Sequence, residues 1–277
     1  METVRREIDA ALLGWIVRDV LIHRDDVVEW PDDASSARTR MLLHGDVLHA
    51  SHRRGKQMVI EGSSGRAIRI HLGMTGRCDI RAGHDSPHVV HDHITWHMQR
   101  GREKCTLVFH DARRFGSVRP FASMKDVERA WSDLGPDALT VSEQELFEAT
   151  AHSRRGIKCV LLDQAAIAGV GNIYADESLF LAGIHPEHPA MELNAHAVSR
   201  LARCIRDILS IAVEGKGSTI RDYRTSSGRS GSFQSKHSVY GRANEPCMRC
   251  GRTLKRLVVT QRTTVVCTRC QPAFRKG

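Results

Sequence analysis

Four cysteines near the C-terminus limit what this chain of 277 residues can fold into more than any other feature. Cys247 and Cys250 form one C-x-x-C pair, Cys267 and Cys270 form a second, and 16 residues separate the two pairs. Each pair can turn two sulfurs toward one point, and the spacing is typical of a zinc site with four thiolate ligands. Two disulfides or free thiols are the alternative. Because four thiolates leave no open position on the metal, we expect one structural zinc.

The segment between the two cysteine pairs predicts a β-hairpin. Its β-branched residues flank Thr260, Gln261 and Arg262, which we expect to form the turn. Any single cation here is explained by a solvated surface, whereas the whole group indicates phosphate contacts. Six cations lie in or beside this ribbon: Arg249, Arg252, Lys255, Arg256, Arg262 and Arg269.

The whole chain is basic, which favours a polyanionic partner. It has 41 lysines and arginines against 32 aspartates and glutamates, so its formal net charge is +9. Nucleic acid is the commonest partner of a basic domain, and a solvated basic surface is the alternative. No run of 18 apolar residues and no apolar segment typical of a secretory signal is present. We therefore expect a cytoplasmic protein.

Two apolar helical segments flank a glycine-rich turn in the middle of the chain. Residues 157–162 form a helix face that we expect to end near 165–167, the letters AGVGN interrupt it, and helical spacing then resumes. We expect Asp176 and Glu177 in the first turn of the second helix, where the helix dipole favours acids. Backbone N–H groups at this turn, together with Asn172, can bind a phosphate. A plain helical hairpin is the alternative.

These features together resemble the formamidopyrimidine-DNA glycosylase and endonuclease VIII family. The two helices and their turn are similar to its helix–two-turn–helix module, and its chains end in the same four-cysteine zinc finger. DLGPDAL resembles the segment that leads into its helical domain, SVYGRANEPCMRCG the approach to its finger, and GSTIRDYRTSSGRSGSFQ its damaged-base loop. The match runs over nearly the whole chain, with the motifs in the family's order.

The resemblance implies an α+β fold with a β-sandwich-like N-terminal domain, a helix–two-turn–helix domain and a C-terminal four-cysteine zinc ribbon. We place the β-rich, catalytic-type domain at 1–118, a linker at 119–134, the helical domain at 135–225 and the zinc finger at 226–277. TVRREIDAALLG predicts a helix at the start of the first domain, and KQMVIEG, AIRIHLG and CTLVFHD predict strands within it. We expect a monomer.

Four residues match phosphate-binding positions of the family. Lys56, in RRGKQMVI, matches a lysine that binds the backbone phosphate beside the lesion. Lys158 and Asn172 match phosphate binders of the helical domain, and Arg262 matches the arginine of the zinc-finger hairpin. The resemblance therefore implies phosphate contacts from all three domains.

Three other residues match positions that probe the base stack. Met74 is similar to the residue that fills the gap left by the extruded base, and Arg113 and Phe115 resemble the pair that contacts the orphaned base and wedges the stack. The physical reason is general, because extruding a base costs roughly a few kcal/mol and apolar wedges offset that cost. Taken singly, each residue is better explained as a core methionine, a core phenylalanine or a surface arginine.

The resemblance also implies a loop over the damaged-base pocket. STIRDY lies in the matching segment, and we assign Ser218, Thr219, Arg221 and Tyr223 to this loop. Backbone N–H groups in it would read an oxidised purine.

One part of the family's pattern is absent from the sequence. The family begins with Pro-Glu-Leu-Pro-Glu-Val-Glu-Thr, and here Met1 falls at the valine and Glu2 at the next glutamate. In the family the proline amine attacks the sugar C1′ to form a Schiff base, and the neighbouring glutamate manages protons. Three explanations stay open: a start upstream of Met1, a loss of the chemistry, or a substitute amine from Met1 or Lys56. A solvated lysine, with a pKa of about 10.4, is a poor nucleophile.

The resemblance implies base-excision repair of DNA. We expect binding to double-stranded DNA with oxidised-base or abasic lesions, flipping of the lesion and, with the proline present, excision of oxidised purines with abasic-site lyase activity. A non-catalytic binder of lesions or DNA structures is the alternative. An RNA-binding zinc-ribbon protein would explain the charge and the cysteines but not Met74, Arg113 and Phe115. We expect the protein to be associated with the nucleoid.

Overall fold

The computed structural model describes residues 1–32, 37–85, 87–215 and 237–274. These residues form two compact units, and the first unit ends at Ser132. The second begins at Asp133, runs to Gly215 and continues in residues 237–274. The predicted α+β class is confirmed. Within the described ranges, no helix combines the length and the apolar composition that crossing a bilayer requires.

The first unit is mostly β-structure and begins with a helix, as its sequence predicts. Its elements are α1 (Glu2–Leu12), β1 (Ile16–Ile22), α2 (Arg38–Met41), β2 (Leu48–Arg54), β3 (Gln57–Gly62), β4 (Ala67–His71), β5 (Arg77–Ala82), β6 (Asp92–Arg100), β7 (Glu103–His110), β8 (Ser117–Phe121) and α3 (Met124–Trp131). The strands predicted from KQMVIEG, AIRIHLG and CTLVFHD correspond to β3, β4 and β7.

Two antiparallel sheets of four strands share one hydrophobic core in this unit. The strand orders are β1-β6-β7-β5 and β2-β3-β4-β8. Alternate residues of both sheets point inward, and Ile70 of one sheet and Trp96 and Phe109 of the other belong to the same buried cluster. Helix α1 adds Ile8 and Leu12, four residues apart on one face. This sandwich fixes the strand ends and turns that carry the site residues.

The region predicted as a linker, 119–134, is folded. Strand β8 continues to Phe121, and α3 follows it directly. The indole Nε1 of Trp131 donates a hydrogen bond to Oε1 of Gln57, 2.9 Å away on β3. The amphipathic pattern of α3, which buries Val127 and Trp131, distinguishes it from a polar connector.

The second unit combines helices with a β-hairpin. Its described elements are α4 (Glu143–Ala151), α5 (Ile157–Leu162), α6 (Asn172–Ala182), α7 (Ala195–Glu214), β9 (Lys255–Val259) and β10 (Arg262–Val266). Ser142 and Glu145 form a capping box at the start of α4, and the side chain of Asn194 caps α7. Helix α6 ends at Gly183, whose φ of 67° is the left-handed conformation that glycine permits.

Two helix details differ from the prediction. Helix α5 ends at Leu162, earlier than expected, because Asp163 starts a turn in which its carboxylate accepts the N–H of Ala165 at 3.1 Å. Asp176 and Glu177 lie one turn further into α6 than expected, and both are almost completely buried. Their role is therefore not the favourable interaction of surface acids with a helix dipole.

Candidate nucleic-acid interface and metal site

Lys56 lies in the tight turn between β2 and β3. Arg54 pairs with Gln57, so Gly55 and Lys56 form a two-residue connection in which Gly55 takes a φ of 57°. The guanidinium of Arg53 donates to the carbonyl of Gly55 at 2.9 Å and holds the turn from one side. Lys56 is half-buried at the tip of this hairpin.

His71 lies beside the Lys56 turn and was not predicted from the sequence. It is the cross-strand partner of Gln57, so it ends β4 next to the turn. Burial lowers the pKa of His71, and the positive charges of Arg69 and Lys56 lower it further. With its pKa lowered, His71 adds little positive charge at neutral pH, so the cations beside this turn are Arg69 and Lys56. The pairing of β3 with β4 brings His71 next to Lys56, and the spacing of residues in the sequence does not predict this contact.

Met74, Arg113 and Phe115 lie together on two adjacent loops of the first unit. Gly73 has a φ of 58°, and a Cβ at this position would lie 2.5 Å from the carbonyl carbon of Phe115. The two loop backbones therefore touch. Met74 is 63% exposed and Phe115 is 57% exposed. The guanidinium carbon of Arg113 lies 4.8 Å from the centre of the Phe115 ring.

The glycine-rich turn that the sequence predicts lies directly before α6. The side chain of Gln164 organises this turn: its Oε1 accepts the N–H of Gly169 at 3.0 Å, and its Nε2 donates to the carbonyl of Val170 at 3.2 Å. Asn172 is the first residue of the helix and donates from Nδ2 to the carbonyl of Thr263 at 3.0 Å. Its Oδ1 has no hydrogen-bond partner within the described residues.

Lys158 does not reach the surface. Its side chain is completely buried, and its Nζ donates to Oδ1 of Asp176 at 2.5 Å and to Oγ1 of Thr264 at 2.7 Å. The N–H of Val265 donates to the other carboxylate oxygen of Asp176 at 3.3 Å. In this arrangement the Lys158 ammonium joins α5, α6 and β10 and cannot contact a phosphate directly.

Arg262 is exposed on the hairpin of the second unit. Thr260 and Gln261 form its turn with φ values of 49° and 57°, and Arg262 pairs with Val259 as the first residue of β10. The turn is therefore one residue shorter than predicted. Arg262 is next in sequence to Thr263, whose carbonyl binds Asn172, so the structure brings Asn172 and Arg262 close together.

The four C-terminal cysteines converge on one point. Their Sγ atoms lie within 4.8 Å of one another, with 3.4 Å between Cys250 and Cys267 and 3.9 Å between Cys247 and Cys270. Zinc–sulfur bonds of about 2.3 Å in a tetrahedron place sulfurs roughly 3.8 Å apart, so the arrangement fits zinc. Gly251 has a φ of 73°, which allows the tight turn after the first pair. The site holds one structural zinc.

Two side chains attach the zinc finger to α6. The buried carboxylate of Glu177 accepts three consecutive backbone N–H groups, those of Ser238, Val239 and Tyr240, at 2.8–2.9 Å. Arg249 donates to carbonyls at the end of α6 and covers the ring of Phe180. The guanidinium of Arg249 is therefore engaged by the end of α6.

The residues assigned to the damaged-base loop lie outside the described residues. Ser218, Thr219, Arg221 and Tyr223 all fall between 215 and 237. Their placement in that loop stays a prediction.

Comparisons with known proteins cover nearly the whole chain. Residues 1–118 match the family described as the formamidopyrimidine-DNA glycosylase N-terminal domain, residues 134–224 match its H2TH domain, and residues 244–273 match the zinc finger found in FPG and IleRS. The chain is 36% identical over 273 residues to the formamidopyrimidine-DNA glycosylase of Hydrogenovibrio crunogenus, covering 98% of this chain and 94% of that protein. It is 37% identical to that of Xanthomonas oryzae pv. oryzae, covering 98% and 97%.

Solved structures agree with these sequence matches. A complex of Lactococcus lactis Fpg with DNA containing an abasic site superimposes with a TM-score of 0.88, at 31% identity and 98% coverage of each chain. A MutM complex with DNA containing carbocyclic 8-oxo-G superimposes with a TM-score of 0.87, again at 31% identity and 98% coverage of each chain. Sequence, fold and zinc site agree over nearly the full length, and the chain belongs to the formamidopyrimidine-DNA glycosylase family.

Proposed function

We propose that the protein is a DNA glycosylase of base-excision repair, which binds duplex DNA with oxidised purines or abasic sites and removes the damaged base. The observation that carries this proposal is the match over 98% of the chain to proteins named formamidopyrimidine-DNA glycosylase. Solved relatives hold DNA with an abasic site, a Fapy-dG or a carbocyclic 8-oxo-G. A non-catalytic lesion binder and an RNA-binding ribbon have no such support.

Met74, Arg113 and Phe115 would enter the base stack when the damaged base leaves it. Two of these side chains are large, apolar and more than half exposed on neighbouring loops. Insertion between bases would remove this apolar surface from water, which favours insertion by about 25 cal/mol for each Å² buried. The Arg113 guanidinium would supply hydrogen bonds to the orphaned base. This gain offsets the cost of extruding a base, which is roughly a few kcal/mol.

Phosphate contacts would come from both units. Lys56 provides a positive charge beside His71 on the first unit, while Arg262 provides one next to Asn172 beside the start of α6. Helix N-termini and cationic side chains are the usual phosphate binders in proteins. Lys158 would contribute indirectly, because it fastens α6 to the hairpin that carries Arg262.

The chemical step of the family uses an N-terminal proline amine. We propose that a chain with the family's start, Pro-Glu-Leu-Pro-Glu, before the valine position uses this proline amine, and that Lys56 binds phosphate. The amine would attack the sugar C1′, the damaged base would leave with a proton, and the resulting Schiff base would open the path to strand cleavage. The glutamate beside the proline would move protons on the sugar.

A base-release assay tests the proposed function. The chain is compared with a version preceded by Pro-Glu-Leu-Pro-Glu, with the initiator methionine removed, on duplexes that carry 8-oxoguanine or Fapy-guanine. We expect the extended version to release the oxidised base and cleave the strand. An extended version that is folded, zinc-loaded and bound to abasic DNA, yet releases no base, would contradict the proposal and favour a non-catalytic binder.

The proposal extends to organisation and location. We propose functional domains at 1–118, 135–225 and 226–277, a monomer, and a cytoplasmic location at the nucleoid. Bacterial relatives and a DNA substrate support the location. Light scattering of the purified protein checks the monomer, since a dimer would double the 31.0 kDa mass.

A further inference from the structure

Asp111 is the centre of a hydrogen-bond network that joins the two loops of the first unit. Its side chain is completely buried, and its carboxylate accepts the hydroxyl of Thr75 and the backbone N–H groups of Arg113 at 3.2 Å and Gly116 at 2.7 Å. The N–H of Arg113 also donates to the hydroxyl oxygen of Thr75, at 3.1 Å. Thr75 follows Met74 directly, so one carboxylate binds both loops that carry the exposed side chains.

The network is anchored in the sheet behind it. Nε2 of His93, a buried residue of β6, donates to the carbonyl of Asp111 at 2.7 Å. The N–H of Asp111 donates to the carbonyl of His91 at 3.1 Å. Asp111 is therefore held through its backbone by the sandwich, while its side chain holds the loops. The two loops are thereby fixed relative to the core of the first unit.

The charge and the backbone geometry of the loop agree with this arrangement. Burial opposes ionisation of Asp111, but the Thr75 hydroxyl and the N–H groups of Gly116, Arg113 and Phe115 outweigh burial and lower its pKa. Arg114 has a φ of 56°, a left-handed conformation that arginine rarely adopts. The Asp111 bonds to residues on both sides of Arg114 hold the loop in this strained form, and such strain is concentrated at functional sites.

We propose that Thr75 and Asp111 are positioning residues, which hold Met74, Arg113 and Phe115 as one preformed wedge for the base stack. This inference rests on the proposed function. A wedge that is ordered before binding avoids the entropy cost of ordering two separate loops on DNA. This saving in entropy affects only binding to DNA sites where a side chain must enter the base stack. Contacts with backbone phosphates do not depend on it.

Thr75→Val tests the inference with little change of shape, because valine replaces the hydroxyl by a methyl group. Thr75→Ser keeps the hydroxyl and is the rescue variant. Thr106→Val is the matched control, since Thr106 is also buried in this unit and donates its hydroxyl to the carbonyl of Gly83, at 2.7 Å, away from both loops. The probes are an intact duplex and a duplex with a tetrahydrofuran abasic analogue. The tetrahydrofuran site has no base to excise, and 2-aminopurine stands opposite it.

We expect Thr75→Val to raise the Kd for the tetrahydrofuran duplex about tenfold and to lose most of the 2-aminopurine fluorescence change, while its Kd for intact duplex stays within about twofold. Thr75→Ser and Thr106→Val should behave like the parent. Equal behaviour of Thr75→Val and Thr75→Ser would overturn the inference. Equal weakening on both duplexes, or the same loss in Thr106→Val, would also overturn it.

Failure of this inference can be distinguished from failure of the proposed function. The comparison of the tetrahydrofuran duplex with the intact duplex reports on insertion and needs no catalytic amine. An extended chain that releases no oxidised base would contradict the glycosylase, whatever the Thr75 variants show. A chain that releases base normally and whose Thr75→Val variant inserts normally would contradict only the positioning role.

Discussion

Lys56 is the residue whose two proposed roles differ most in chemistry. A phosphate contact needs only its positive charge, whereas a substitute nucleophile needs its primary amine. We expect Lys56→Arg, in the extended chain, to keep DNA affinity and base release within about fivefold, because arginine also binds phosphate. Lys56→Ala should weaken binding and reduce the slope of log Kd against log salt by about one. Affinity and single-turnover base release at several salt concentrations measure both effects.

Loss of the Schiff base in Lys56→Arg would assign Lys56 the role of nucleophile. If Lys56→Arg bound DNA normally but formed no Schiff base, the amine of Lys56 would be the nucleophile and the proposed proline mechanism would be wrong.

Single residues show where sequence reasoning succeeds and where it stops. Motif position was sufficient to predict Met74, Arg113 and Phe115, which the structure places on adjacent loops, although their assigned roles stay predictions. Motif position also selected Lys158, but the structure places its ammonium in a buried ion pair. Exposure depends on which residues from distant segments pack around a side chain, and one sequence does not contain that information. His71 was missed for the same reason, since strand pairing brings it to Lys56.

At the scale of elements, the buried pair of Lys158 and Asp176 joins two helices and a strand. Burial raises the pKa of Asp176 to about 6 although Lys158 opposes the rise. Removing one partner leaves the other buried without compensation, so we expect Lys158→Met to destabilise the second unit by about 3–5 kcal/mol. The double variant Lys158→Met with Asp176→Leu should recover most of this loss, because an apolar pair avoids the desolvation penalty.

The same variants separate a structural from a direct role of Lys158. Urea unfolding followed by far-UV circular dichroism gives stability, and titration of abasic DNA gives affinity. We expect the double variant to bind DNA within about threefold of the parent. A double variant that regains stability but binds DNA tenfold more weakly would show that the ammonium itself contacts the phosphate.

A second ion network joins three neighbouring strands of the first unit. Arg81 on β5 and His110 on β7 both bind the buried carboxylate of Asp92 on β6, at 2.7–3.0 Å. Burial raises the pKa of Asp92, but the hydrogen bonds from Arg81 and His110 outweigh burial and lower it to about 2. Below the unfolded-state pKa, the unfolded chain therefore binds more protons than the folded one. The stability from Asp92 is complete above about pH 4 and is lost as the pH falls toward about 2.

We therefore expect Asp92→Asn to cost about 2 kcal/mol of unfolding free energy at pH 7, a cost that shrinks as the pH falls from 4 to 2. Tryptophan fluorescence measures this unit alone, because its four tryptophans, Trp15, Trp30, Trp96 and Trp131, are all that the sequence contains. Asp26→Asn is the control, since solvent screens its exposed pairs. A difference between parent and Asp92→Asn that does not change with pH would contradict this explanation.

Element boundaries were predicted less well than element types. Strands β3, β4 and β7 of the first unit, the helix pair and the cysteine ribbon follow from periodicity and spacing. Helix α5 ends early because the Asp163 side chain competes for backbone N–H groups. Residues 119–134 were expected to form a linker, but Trp131 packs against the sandwich, and this contact depends on a residue 74 positions away. Local patterns do not report such contacts.

At the scale of the whole molecule, the zinc finger and its contacts with α6 support the hairpin that carries Arg262. Glu177 accepts the backbone N–H of Val239 in the finger, and Asn172 donates to the carbonyl of Thr263 in its hairpin, so both residues connect α6 to the finger. We expect Cys267→Ser to release the metal and to raise the Kd for abasic DNA at least tenfold, because the hairpin with Arg262 loses its support. Metal content and DNA affinity are measured on the same sample.

Cys204→Ser is the matched control for zinc loss. Cys204 lies on α7 outside the cluster of four cysteines, so this variant should keep both the metal and the affinity. Unchanged DNA binding by zinc-free Cys267→Ser would show that the zinc finger does not bind the DNA phosphates.

The proposed function requires base removal through a covalent intermediate at an N-terminal amine. Borohydride trapping on a duplex with 8-oxoguanine tests it most directly, because reduction of the Schiff base leaves a permanent bond between amine and C1′. We expect the chain preceded by Pro-Glu-Leu-Pro-Glu to form this adduct and peptide mass spectrometry to place it on the proline. The chain that begins at Met1 should form none. An adduct on Lys56, or no adduct from a folded extended chain that binds the duplex, would contradict the account.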